Sequence, residues 1–133
     1  MSRSIEGQCA CGAVRYASDG EIEFSFHCCC RKCQRSTGAG HASAFALPLD
    51  EVELTGEVRY FEQMSDSGYV THSGFCPECG SPMFAKTAQY PNRLYINAAT
   101  LDDPSSFTPS FVVFEEMAQP WDHLDPGLRA PGR

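Results

Sequence analysis

A chain of 133 residues has room for one cored domain and not for two, and its 42% hydrophobic and 20% charged residues exclude a disordered chain. A formal net charge of −7 with only ten Lys and Arg disfavours a broad polyanion-binding face, so no nucleic acid partner is expected. No apolar run approaches the roughly 18 to 20 residues that cross a bilayer, and Met1-Ser2-Arg3-Ser4 opens no export signal, so the expectation is a cytoplasmic protein without a membrane partner, its eight cysteines reduced rather than paired as disulfides.

Val14 and Tyr16 alternate with Arg15 and predict a half-buried strand that starts at Cys9-Ala10-Cys11. Asp19-Gly20 signals a turn, and Ile22, Phe24 and Phe26 alternate with Glu23 and Ser25 in a second strand that runs into Cys28-Cys29-Cys30-Arg31-Lys32-Cys33. The Gln34 to Gly40 segment, rich in glycine and hydroxyl residues, reads as a loop with room for one helical turn and as a mobile rim to a pocket. His41 to Leu49 reads as a small-residue strand stopped by Pro48; Val52 with Leu54 and Val58 with Tyr60 read as two short strands around Thr55-Gly56 that continue the same antiparallel sheet. After a turn at 65–68, Tyr69 to Phe75 and Pro82 to Lys86 bracket Cys76-Pro77-Glu78-Cys79 as a hairpin. Strands at Arg93 to Ala98, with Leu94 and Ile96 inward, and at Phe111 to Glu115 flank a turn at 101–106. One mostly β domain over 1–133 is expected, with no helix of ordinary length and a tail that frays from about 125.

The cysteine spacing points to metal. Thiolates are soft ligands, and two-cysteine clips from distant parts of a chain can complete a tetrahedral zinc site. Phe75-Cys76-Pro77-Glu78-Cys79-Gly80 has the form of a zinc knuckle, and the one isolated clip left to partner it is Cys9-Ala10-Cys11. Cys9, Cys11, Cys76 and Cys79 therefore make a closed, structural site. Cys28, Cys30 and Cys33 remain. Three protein ligands with an open fourth position are the coordination of catalytic zinc, which binds water or substrate there. The alternative is that Cys29 or His27 closes the set and makes this site structural too. Two zinc ions per chain are expected.

These residues resemble the glutathione-dependent formaldehyde-activating family, also called the centromere protein V family. The resemblance is carried by Gly7-x-Cys9-x-Cys11-Gly12-Ala13-Val14-Arg15-Tyr16, by Cys28-x-Cys30-x-x-Cys33-x-x-Ser36-Thr37-Gly38 and by Phe75-Cys76-Pro77-x-Cys79-Gly80-Ser81-Pro82. Thr100-Leu101-Asp102-Asp103-Pro104 and Pro120-Trp121 add weaker matches. The resemblance implies a β-tent of antiparallel sheets cross-linked by zinc, with a structural and a catalytic metal partitioned as above. It also implies a carbon-sulfur lyase or synthase that joins formaldehyde, or another small aldehyde, to the thiol of glutathione to give S-(hydroxymethyl)glutathione. Where the family usually shows Cys-His-Cys in the central block, this chain has Cys29 in the middle. The competing functional class is a non-enzymatic zinc-binding module used for protein contacts.

Beside the central cluster, Arg31, Lys32 and Arg35 are candidates to hold the carboxylates of glutathione, with local compensation of sulfur charge as the plainer role. His27, His41 and His72 are candidate acids or bases, His41 first because it follows the glycine-rich loop. Trp121, Phe45, Phe84 and Phe111 read as core or core cover.

Overall fold

Short alternating segments bounded by turn residues make strands of most of this chain. The structure, a computed structural model, describes residues 4–128. In chain order its elements are β1 (Ile5–Gln8), β2 (Arg15–Ser18), β3 (Phe24–Cys28), helix α1 (Arg31–Thr37), β4 (Ala42–Pro48), β5 (Glu53–Thr55), β6 (Arg59–Met64), β7 (Val70–Phe75), β8 (Pro82–Thr87), β9 (Arg93–Asn97) and β10 (Phe111–Val113). Single 3-10 turns lie at 49–51, 98–100, 104–106 and 115–117.

The strands form two sheets, one ordered β1-β2-β5 and one ordered β10-β3-β4-β9-β8-β7-β6. The mostly β class expected from the sequence is what forms, and every pairing is antiparallel except that of β10 with β3. Several local expectations are corrected. The first strand is a hairpin, and the Cys9 clip sits in its loop between β1 and β2. β5 leaves the large sheet and pairs with β2. The second strand is shifted along the chain to Phe24–Cys28, leaving Ile22 43% exposed. The segment after Cys33 is helical through Thr37, because Cys30 caps the helix start and Gly38, at φ +72°, ends it by donating its N–H to Gln34 O.

Along β4 the two-residue period of a strand assigns the faces. Phe45 and Leu47 point into the core with Leu94 and Ile96 of β9, Met83 and Phe84 of β8, and Tyr16 and Ile5 of the small sheet. Ala42 and Ala44 point the other way, into a cleft. Phe45 and Phe84 are core as expected, whereas Phe111 is only half-buried and lines that cleft. Trp121 is 66% exposed and covers nothing in the core, a second correction. The 98–100 turn packs closely on the small sheet at Gly7, where an added Cβ would fall 2.2 Å from Tyr16 Oη and 2.4 Å from Thr100 O, so only glycine fits. Of the tail expected to fray, residues 129–133 lie outside the described residues.

Phe45 is fully buried at the centre of β4, between β3 and β9. Phe45→Ala is expected to cost about 3–5 kcal/mol through lost burial and the cavity left behind. Urea denaturation at constant zinc concentration measures it; a loss below about 1 kcal/mol would place the core elsewhere.

Candidate metal centre and cleft

Two turns bring four sulfurs together from distant parts of the chain. In the β1–β2 loop, Cys9 N donates to Val14 O at 3.0 Å and Gly12 N to Cys9 O at 3.2 Å, while Val14 N points at Cys9 Sγ at 3.3 Å. In the β7–β8 turn, Gly80, at φ +77°, donates to Cys76 O at 2.8 Å, and Cys76 N donates to Ser81 O at 3.1 Å. Ala10 N donates to Ser81 Oγ at 3.0 Å and fixes one turn on the other. The sulfurs of Cys9, Cys11, Cys76 and Cys79 then all lie within 4.8 Å of one another, with Cys9 Sγ 3.6 Å from Cys11 Sγ and Cys11 Sγ 3.8 Å from Cys76 Sγ.

Those separations identify the chemistry that fits. A disulfide needs about 2.05 Å between sulfurs, and all eight cysteines are free. Four thiolates at about 2.3 Å from one zinc ion form a tetrahedron with edges of about 3.8 Å, which is the spacing found. The residues present fit a tetrathiolate metal.

The second set is built by β3 and α1. Cys28 ends β3, Cys30 caps α1 and Cys33 lies in its first turn, with Cys33 N donating to Cys30 Sγ at 3.3 Å. Their three sulfurs also lie within 4.8 Å of one another. Hydrogen bonds from Cys28 and Cys33 hold the Cys30 thiol far below the usual range, while the Cys28 thiol is pushed up mainly by its bond with Cys30 and the Cys33 thiol by its bond with Cys28. Thiols this close share protons, since adjacent thiolates repel; a cation among them lets all three ionise.

Buried Gln34 anchors this corner with every polar atom satisfied. Its Nε2 donates to Cys29 O at 2.8 Å and to Met117 O at 3.0 Å; its Oε1 accepts from Gln119 Nε2 at 3.0 Å and from the Arg31 guanidinium. Nothing in the sequence marked Gln34, because its role depends on the distant 115–119 segment. Neither Cys29 nor His27 belongs to the three-sulfur set. Cys29 is buried with its N–H on Val113 O, and burial pushes its thiol up. His27 Nδ1 lies 2.9 Å from Ser43 Oγ, and burial is the main cause that holds its imidazole below the usual range.

A cleft of about 850 Å³ opens against this set, with Cys28 and Cys33 in its wall. Lys32 and Arg35 line it, and Lys32 Nζ donates to Thr71 Oγ1 at 2.9 Å; Arg31, expected beside them, does not line it and is turned to Gln34. His72 lines the far wall, 3.2 Å from Glu62 Oε1. His41 does not line it: its Nδ1 lies 2.7 Å from Asp122 Oδ2, and its ring packs edge-on against His27. The aromatic floor of the cleft, Phe24, Phe26, Tyr95 and Phe111, was not read as a ligand surface from the sequence. The strand alternation that puts Phe24, Phe26 and Cys28 on one face was the signal available.

The sequence matches, over residues 4–117, a family model described as glutathione-dependent formaldehyde-activating enzyme. No curated protein matches it. Among solved structures, a crystal structure of a Rhodobacter sphaeroides protein is similar at a TM-score of 0.58 and 23% identity, covering 74% of this chain and 88% of that one. That likeness speaks for the fold alone.

The two sulfur sets differ in what they cross-link. The four-sulfur set joins residues some seventy positions apart, whereas the three-sulfur set closes a loop within six residues. Cys76→Ser is therefore expected to lower the melting temperature more than Cys30→Ser, each variant losing one metal equivalent by elemental analysis. Equal metal content in both variants and the native protein would contradict the two-set partition.

Proposed function

Because the chain belongs to the glutathione-dependent formaldehyde-activating family, we propose that it is a cytoplasmic carbon-sulfur lyase or synthase. Its reaction joins the thiol of glutathione to a small aldehyde such as formaldehyde, giving S-(hydroxymethyl)glutathione. The observation that carries this reading is the position of the three-sulfur set at a cleft large enough for a tripeptide thiol, with Cys28 and Cys33 in its wall. Cys9, Cys11, Cys76 and Cys79 hold a structural zinc, and Cys28, Cys30 and Cys33 hold a catalytic one. Zinc bound by three thiolates supplies a Lewis acid beside which a substrate thiol ionises near neutral pH.

The chain's own side chains supply position. Lys32 and Arg35 are the cations that α1 presents to the cleft, and charge-assisted bonds from them to the carboxylates of glutathione fix the tripeptide so that its sulfur reaches the cluster. The bond from Lys32 Nζ to Thr71 Oγ1 holds the ammonium in place before substrate arrives. Gln34 keeps α1, and with it Cys30 and Cys33, fixed against the 115–119 segment.

Exchange NMR on the zinc-loaded protein tests the reaction: the protein should speed the approach of glutathione and formaldehyde to equilibrium, and Cys30→Ser should return the rate to the uncatalysed one. No acceleration by the native protein leaves a zinc-held scaffold. Combined Lys32→Glu and Arg35→Glu should raise the glutathione Kd by about a hundredfold or more, since each lost charge-assisted contact is worth about tenfold, and Arg31→Glu should change it less. Titration calorimetry reads both; a larger effect from Arg31→Glu would move the carboxylate contacts off the cleft.

A further inference from the structure

The cleft is built for more than a one-carbon aldehyde. On the cleft face of the large sheet the strand registers place side chains in rows. Val113, Cys28 and Ala42 form one row, Phe111, Phe26, Ala44 and Asn97 the next, and Phe24, Ala46 and Tyr95 the third. Phe26 therefore lies two residues before Cys28 on the same face of β3, about 6.7 Å along the strand. Phe26 stacks on Phe111 with centroids 5.9 Å apart and planes at 11°, and Tyr95 meets Phe26 edge-on at 5.7 Å. These rings touch one another, and β4 gives the cleft only Ala42 and Ala44, so beside the aromatic cluster the floor is a shallow, methyl-lined trough.

This lining sets the ligand class. Formaldehyde is little larger than a water molecule, which occupies about 30 Å³ of liquid, and the cleft holds about 850 Å³. Glutathione is a charged peptide, and burying its amides against phenyl rings leaves them without partners. Its natural place is the cationic side at Lys32 and Arg35. The trough is left for an apolar body.

We propose that the carbonyl substrate is an aldehyde carrying an aromatic or bulky hydrocarbon group, which lies in the trough over Phe26, Phe111 and Ala44 with its carbonyl toward the sulfur cluster. This rests on the reading above, in which a thiol adds to a carbonyl. The sulfur of glutathione bonds to the carbonyl carbon, the π pair moves to oxygen, and oxygen takes up the proton that the thiol gave up. The product is a hemithioacetal, and no oxidant or reductant is involved.

The test compares phenylacetaldehyde with formaldehyde on the zinc-loaded protein with glutathione, each rate expressed as acceleration over the uncatalysed reaction of the same aldehyde. An apolar pocket distinguishes even one methylene by about tenfold or more, so phenylacetaldehyde should be favoured at least that much. Ala44→Phe, which fills the trough, should erase the preference. Phe26→Ala, which leaves it open but unflanked, should reduce it; zinc content and circular dichroism report folding of both variants. Formaldehyde accelerated as much as phenylacetaldehyde or more overturns the inference and leaves the family reaction standing. If neither aldehyde reacts, the family reaction fails. Binding of 2-phenylethanol, read by saturation-transfer NMR, then decides the ligand class: binding abolished by Ala44→Phe upholds it, and no binding to the native protein overturns it.

Discussion

Sulfur crowding is the constraint on which the structure depends. Four cysteine side chains from the β1–β2 loop and the β7–β8 turn converge to within 4.8 Å, at a spacing too long for a disulfide and matched to the edge of a thiolate tetrahedron around one cation. A metal held there would tie the small sheet to the large one at the point where Ala10 N meets Ser81 Oγ. Cys9 and Cys76 are themselves part of the buried core cluster, so a metal bound by them would be coupled to packing.

From that frame the two-residue period of the large sheet does the rest. Each strand gives one set of side chains to the core and the other to the cleft, and β4 shows the division most plainly, with Phe45 and Leu47 on one side and Ala42 and Ala44 on the other. Cys28 shares the cleft face with Phe24 and Phe26. The three-sulfur corner and the apolar floor are thereby joined through one strand. The helix that follows carries Cys30, Cys33, Lys32 and Arg35, and the Gln34 bonds prevent it from pivoting. A site made in this way has its sulfurs, charges and apolar surface positioned before any ligand enters.

What could be read from the residues followed range. Local patterns were legible: the 76–79 knuckle as the turn of a hairpin, Leu94 and Ile96 as inward residues of β9, and the separation of the cysteines into sets of four and three. Interactions between distant segments were not, apart from the joining of the Cys9 and Cys76 clips, which the spacing of the ligands revealed. The partner of β5 is β2, chosen by the tertiary arrangement and not by its own pattern. β10 returns parallel to β3 only because the chain between them crosses the molecule. Phe111 looks like a core residue by composition, and only its register with Phe26 reveals a cleft floor. His41 follows a glycine-rich loop as expected, yet Asp122 takes its Nδ1 on the face opposite Cys28.

The central claim is an open three-sulfur centre beside a closed four-sulfur one. A crystal structure of the zinc-loaded protein, with anomalous maps at the zinc absorption edge, tests it most directly. Two peaks are expected, one bonded by Cys9, Cys11, Cys76 and Cys79 and one bonded by Cys28, Cys30 and Cys33 with no fourth protein atom. A single peak, or a second peak bonded also by Cys29 Sγ or a His27 nitrogen, would contradict it.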